Sequence, residues 1–152
     1  WMALPGLELH LACEGGRPRG VLGTWDLTDA RGYRVLRYAG AGRLLKGAMA
    51  LASRVVRGLA PLPAPGGLLR TLTTTRVAAA SPSVLRALLA AGMDRALDQR
   101  FHAIDLALVG DDPLRTALRG LPRQVVRSTV HRFHRGRPPP RTARPYVDLS
   151  HV

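Results

Sequence analysis

Residues 7 to 13, LELHLAC, alternate strictly along the chain. Leu7, Leu9, Leu11 and Cys13 share one side, and Glu8, His10 and Ala12 the other. A period of two predicts a half-buried strand with the leucines and the thiol facing inward. EGGRPRG then reads as a turn and VLGTWDLT, 21–28, as the returning strand of an antiparallel hairpin. YRVLRYA, 33–39, fits a third strand. In RLLKGAMALASRVVRGL, 43–59, the period becomes helical. Apolar residues from Leu44 to Leu59 occupy one side, and Arg43, Lys46, Arg54 and Arg57 the other. That pattern suits a surface helix docked on a core, or a basic amphipathic helix laid on an anionic membrane or partner. APLPAPGG, 60–67, is a stiff loop that ends it.

LLRTLTTTRV, 68–77, is rich in β-branched residues and predicts a strand. Residues 82–99 come next as a helix with Leu85, Leu88, Leu89, Met93, Ala96 and Leu97 on its apolar face. FHAIDLALVG, 101–110, is nearly continuous in apolar residues, as a strand covered on both faces would be. A short helix at 111–120, a strand at 124–134, a Pro/Arg linker at 135–145 and a closing strand, YVDLSHV, complete the chain. The order predicts a single α/β domain over residues 1–152. Its mixed sheet is built around a parallel βαβ unit, strand 68–77, helix 82–99 and strand 103–109.

The two helix starts share one design. Ser81-Pro82 and Asp112-Pro113 each set a capping side chain before a proline at the first helical position. Both come after strands, so both helix starts are expected at the sheet edge where open α/β sheets place ligands. A helix start with free N–H groups suits a phosphate. Yet Pro82 has no N–H, and AAASP holds no glycine to let the backbone close on a pyrophosphate. Ser81-Pro82 is therefore read as a cap, and as a phosphate seat where neighbouring arginines assist; Asp112-Pro113 is read as a cap.

Charge adds a second constraint. The 152 residues carry 23 Lys and Arg against 10 Asp and Glu, a net +13, and Lys46 is the only lysine. Such a balance favours anionic partners: nucleic acid, acidic protein, phospholipid headgroups or a polyphosphate ligand. VVRSTVHRFHR interleaves arginines with Phe133, and RGRPPPRTAR adds a cationic arm, a composition suited to nonspecific nucleic-acid or polyanion binding. Cys13 is the only cysteine, which excludes an internal disulfide and a cysteine-based zinc site and points to a reducing, cytoplasmic setting. It reads as a packed core thiol. His131 and His134, three apart on a strand, face opposite sides, so no metal site is expected. No apolar run approaches the roughly 20 residues of a membrane span. A chain that opens on Trp1 before Met2, with no leader, is read as a fragment or a chain trimmed at its start.

Four stretches together resemble the GNAT N-acetyltransferase superfamily. ACEGGRPRGVLGTWDL is similar to its early sheet strands, with a turn leading into Trp25-Asp26. TLTTTRVAAASPSVLRALLAAGMDRALDQRFHAIDLALVGDDPL resembles its central strand, pyrophosphate helix, next strand and following helix. VVRSTVHRF and RPYVDLSHV resemble its last two strands. Trp25-Asp26, Tyr38 and Asp112-Pro113-Leu114 are similar to a divergent branch with an insertion before the central strand, here residues 41–66. The family's first strand and first two helices have no counterpart. Its Arg/Gln-x-x-Gly-x-Gly/Ala signature is replaced by Ala79, Ala80, Ser81, Pro82 and Ser83, and PLRTALRG lacks the tyrosine acid frequent at that helix.

The resemblance implies acyl transfer from acetyl-CoA or another acyl-CoA to an amine. Thr75, Arg76 and Val77 would run beside the pantetheine arm, and Ser81, Ser83 and Val84 would hold the pyrophosphate. The splay beside strand 103–109 would admit the thioester. The amine attacks directly, so the protein owes a base for its proton and an acid for the departing thiolate. Asp26 is the first candidate base, and Tyr38 and Tyr146 are candidate acids. Asp105, inside an apolar run, reads as a carboxylate of raised pKa or as a core residue partnered by arginine. Acyl transfer, a GNAT-like module that binds without turnover, and an arginine-driven polyanion binder are the three functions these features allow.

Overall fold

The computed structural model describes residues 5–30, 32–108, 112–121, 123, 125 and 126. The expected strand at 124–134, the linker 135–145, the closing strand, and with them His131, His134 and Tyr146, lie outside the described residues.

Leu7–Glu14 (β1) and Arg17–Asp26 (β2) form an antiparallel hairpin. Gly15 and Gly16 turn it with φ of 56° and 77°, a pair of left-handed conformations that costs glycine little. The expected third strand shrinks to Tyr33–Arg34 (β3), paired with Leu68–Leu69 (β4). Ala41–Ala52 (α1) lies between them. Thr71–Ala79 (β5) joins β2 antiparallel, Pro82–Asp98 (α2) comes after it, and Ala103–Asp105 (β6) returns parallel to β5. The fold is α/β, with a mixed sheet in the order β1-β2-β5-β6. The expected helix at 111–120 is a 3-10 turn over Pro113–Leu118, started by Asp112, whose carboxylate accepts from the Leu114 N–H at 2.8 Å.

The core lies between the sheet and α2. Leu22, Leu85, Leu88, Leu89 and Ala117 form one buried cluster; Leu72, Ala96 and Phe101 form a second. Burying a leucine contributes about 1.5–3 kcal/mol, so these few side chains hold the unit together. α2 also buries Gly92, while Met93, expected on its inner face, is exposed. Gly20 is required by close approach: a Cβ there would meet Val84 Cγ1 at 2.8 Å and the Ala78 carbonyl at 2.9 Å.

β1 faces the other way from the expectation. α2 covers the side bearing His10 and Ala12, and Leu9, Leu11 and Cys13 are exposed. Specific polar bonds compensate the inward polar residues. His10 Nε2 and Thr24 Oγ1 are 3.1 Å apart. Arg95, on α2, donates to Thr24 Oγ1 at 2.6 Å and to the Thr24 and Gly6 carbonyls at 2.7 and 2.9 Å. Its Nε lies 2.8 Å from Glu8 Oε2, off the N–H axis, so this is a charge contact more than a directed bond. Alternation defined two faces of β1 correctly; the arginine on α2 decided which one turned inward.

Candidate functional site

The β5–α2 junction borders a cleft of about 490 Å³, lined by Ala12, Cys13, Glu14, Arg19, Ser81, Ser83, Val84 and Ala87. Three elements make it: the end of β1, the start of β2 and the first turns of α2. Ser81 caps the helix from extended backbone, its Oγ accepting from the Val84 N–H at 3.3 Å. Its hydroxyl also lies 2.8 Å from Ser83 Oγ. The Ala80 N–H donates to the Arg19 carbonyl at 2.9 Å, which fixes the loop against β2.

The donors at this helix start are few. Pro82 has no N–H, Ser81 Oγ takes that of Val84, and the Ser81 carbonyl takes that of Leu85 at 3.1 Å. Ser83 keeps the first-turn N–H that these bonds do not use. The cleft's cation is Arg19, whose Nε lies 3.2 Å from Glu14 Oε2, with both side chains at least half exposed. An anion entering here gains the one hydroxyl hydrogen that the Ser81–Ser83 pair leaves over, one N–H, the helix dipole and a guanidinium already shared with a carboxylate. Such a seat is polar and open, and it binds by assembling several weak contacts.

The remaining predicted residues fall in two groups. Thr75, Arg76 and Val77 lie along β5, leading to the cleft. The β2–β5 register steps from Gly23↔Thr75 to Val21↔Ala78, so Leu22 opposes both Arg76 and Val77. Arg76 takes φ of 50° at this bulge. Thr75 is buried, and Val77 packs against the Leu22–Leu85–Leu88 cluster. β6 pairs with β5 from Thr71↔Ala103 to Thr73↔Asp105, while β5 runs on to Ala79. Asp105 sits half-buried at that last pair.

Asp26 and Tyr38 are not brought to the cleft. β2 runs from the cleft at Arg19 to Asp26, so about seven residues, roughly 23 Å of strand, separate them. Asp26 accepts from the Thr28 N–H at 3.0 Å and from Arg70 at 3.4 Å. Burial raises its pKa, but the Thr28 dipoles and the Arg70 charge outweigh that and hold the carboxyl below its ordinary range. The Thr28 hydroxyl lies alongside without reaching hydrogen-bond geometry. Arg70 stacks 4.4 Å from the Phe101 ring centre and donates to the Gln99 carbonyl, so this pair ties β2 to the end of α2. Tyr38 donates its hydroxyl to the Pro63 carbonyl at 2.7 Å, with Lys46 over its ring. It braces the 33–67 segment.

Sequence reasoning missed Arg19 and Glu14. The only signal was their position flanking the Gly15-Gly16 turn, which, with the β1–β2 and β2–β5 registers, carries both to the start of α2. Among the described residues no group of three or more His, Cys, Asp or Glu could hold a metal ion. No helix among them is long and apolar enough to cross a membrane. Compared with known proteins, the chain matches no family model, no curated protein and no solved structure.

Proposed function

We propose that this domain is a GNAT-like module that binds an acyl-CoA. The observation that carries the reading is the cleft at the β5–α2 junction, where Ser81, Ser83, Val84 and Arg19 meet. In this reading the diphosphate lies at the start of α2 and the pantetheine arm runs back along β5, past Val77, Arg76 and Thr75. β5 outreaches its parallel partner there, which leaves the thioester end near the point where the two strands part. Glu14 competes with the ligand for Arg19, so the ligand must displace a surface ion pair of small worth.

Transfer of the acyl group to an amine is the fuller form of this proposal. The amine nitrogen would bond to the thioester carbonyl carbon, the C–S bond would break, and the amine would lose a proton to a base. Asp26 is poorly suited to that work: it is ion-paired, its pKa is lowered, and it lies at the far end of β2. Binding without turnover is therefore the better supported form. Transfer requires a base other than Asp26.

The test is calorimetric titration of the full chain with acetyl-CoA at physiological salt, with ADP and a short oligonucleotide as comparators. Saturable binding of acetyl-CoA that ADP matches poorly, tightened severalfold by Glu14→Gln, is the expected result. Equal binding of all three ligands, abolished by salt, identifies a merely cationic surface and rejects the reading.

A further inference from the structure

The segment between the hairpin and β5 is built unlike the rest of the molecule. From residue 30 to residue 70 the chain has no Asp or Glu and eight Lys or Arg. α1 is its longest element, and none of its residues is buried. The helical turns continue past Ala52, with the Ser53 and Val56 N–H groups donating to the Met49 and Ala52 carbonyls at 2.9 and 2.8 Å.

At 100° per residue, Leu44, Leu45, Ala48, Leu51 and Ala52 fall within a sector of about 120°. Arg43 and Lys46 lie on the opposite side, and Arg54 and Arg57 extend that side in the next turns. Leu44, Leu45, Leu51 and Val55 expose between 56% and 83% of their surface. The apolar sector therefore faces outward, uncovered by the sheet or α2. The helix is held from its other side: Lys46 stacks over Tyr38 at 5.3 Å, Arg43 donates to the Tyr38 carbonyl at 3.2 Å, and Tyr38 is tied to Pro63.

We propose that α1 is an interfacial anchor that lays its apolar sector into an anionic lipid bilayer. Leucines enter the boundary between headgroups and acyl chains, and the cationic stems reach up to the phosphates. Charge selects this occupant. Two copies joined through the leucines would each carry a net +13 with no compensating acidic partner, whereas an anionic leaflet takes up the leucines and supplies the opposite charge to the cationic side. A nucleic acid would satisfy the cations and leave the leucine sector in water. A single convex helix with leucines outward has the shape of a surface-lying anchor, and it offers no groove for a peptide. The inference is independent of acyl-CoA binding, since α1 shares no residue with the cleft.

The test is co-sedimentation of the full chain with vesicles of roughly two-thirds phosphatidylcholine and one-third phosphatidylserine, against pure phosphatidylcholine, at physiological salt. The chain should bind the anionic vesicles and leave the neutral ones. The charge-preserving double variant Leu44→Gln with Leu51→Gln should weaken that binding by about tenfold or more, because the apolar sector is lost. Both positions are exposed, so its thermal melt and acetyl-CoA titration should match the parent. Arg43→Gln with Lys46→Gln should weaken binding to anionic vesicles as well. Unchanged sedimentation of the leucine variant would overturn the proposal and leave a purely electrostatic attraction. A parent chain that ignores anionic vesicles, or that dimerises in sedimentation velocity and is made monomeric by the leucine variant, would overturn it too.

Discussion

α1 and α2 are both rich in leucine and alanine, and both show a helical apolar period, yet among the described residues one is buried and the other bare. α2 has Ser81 as its cap and proline at its first position, and it buries Leu85, Leu88, Leu89, Gly92 and Ala96. α1 starts from Gly40 without a side-chain cap and buries nothing. The difference lies in the strands that flank each helix. α2 sits inside a β-α-β connection whose strands pair, so its apolar face is delivered onto the sheet. α1 is bounded by a two-residue strand pair, β3 with β4, too small to offer a surface. A period tells which side of a helix is apolar; connectivity decides whether anything in the chain meets it.

The contrast between the helices is challenged most strongly by cutting the same side chain from each. Leu85→Ala should cost about 2–5 kcal/mol, because Leu85 is fully buried in the cluster with Leu22 and Leu88. Leu44→Ala should stay within about 0.5 kcal/mol of the parent. Denaturant melts of both variants check the pair, and similar losses would mean that α1 is packed. A smaller effect is expected at the cap. Ser81→Ala removes the bond to the Val84 N–H and should cost about 1 kcal/mol. It should also weaken acetyl-CoA binding, an effect on the ligand that a cap distant from the cleft would not have.

The smallest effect concerns the Asp26–Arg70 pair, which fastens the sheet to the end of α2 away from the cleft. The folded pKa of Asp26 lies below its ordinary value, so its contribution is present above that value. It fades as pH falls through the folded pKa. Asp26→Asn should therefore melt below the parent at neutral pH, and the gap should close below about pH 4. A gap that stays constant with pH would assign the loss to packing and leave the charge no part in it.

Much of the frame was legible in the residues. The alternating hairpin, the threonine-rich strand and the capped helix at 82 arise from period, β-branching and cap chemistry, all local. Three things were not legible. The facing of β1 was set by Arg95, 71 residues from its partner Thr24. The bulge at Arg76 carries no glycine to mark it. The exposure of α1 reflects that no described element covers it, which no local pattern records. The same holds within the site. The Ser81 cap was readable because capping is local, while Arg19 and Glu14 reach the cleft only through sheet register. Asp26 stood out beside Trp25, but strand direction carries it to the far end of β2.

Amide hydrogen exchange of the full chain with and without acetyl-CoA is the sharpest test of a ligand seat at the β5–α2 junction, because it reads both helices at once. Slowed exchange from Arg76 through Leu85, with no change from Ala41 through Ala52, is the expected result. Protection spread over the arginine-bearing segments, or centred on α1, would contradict it.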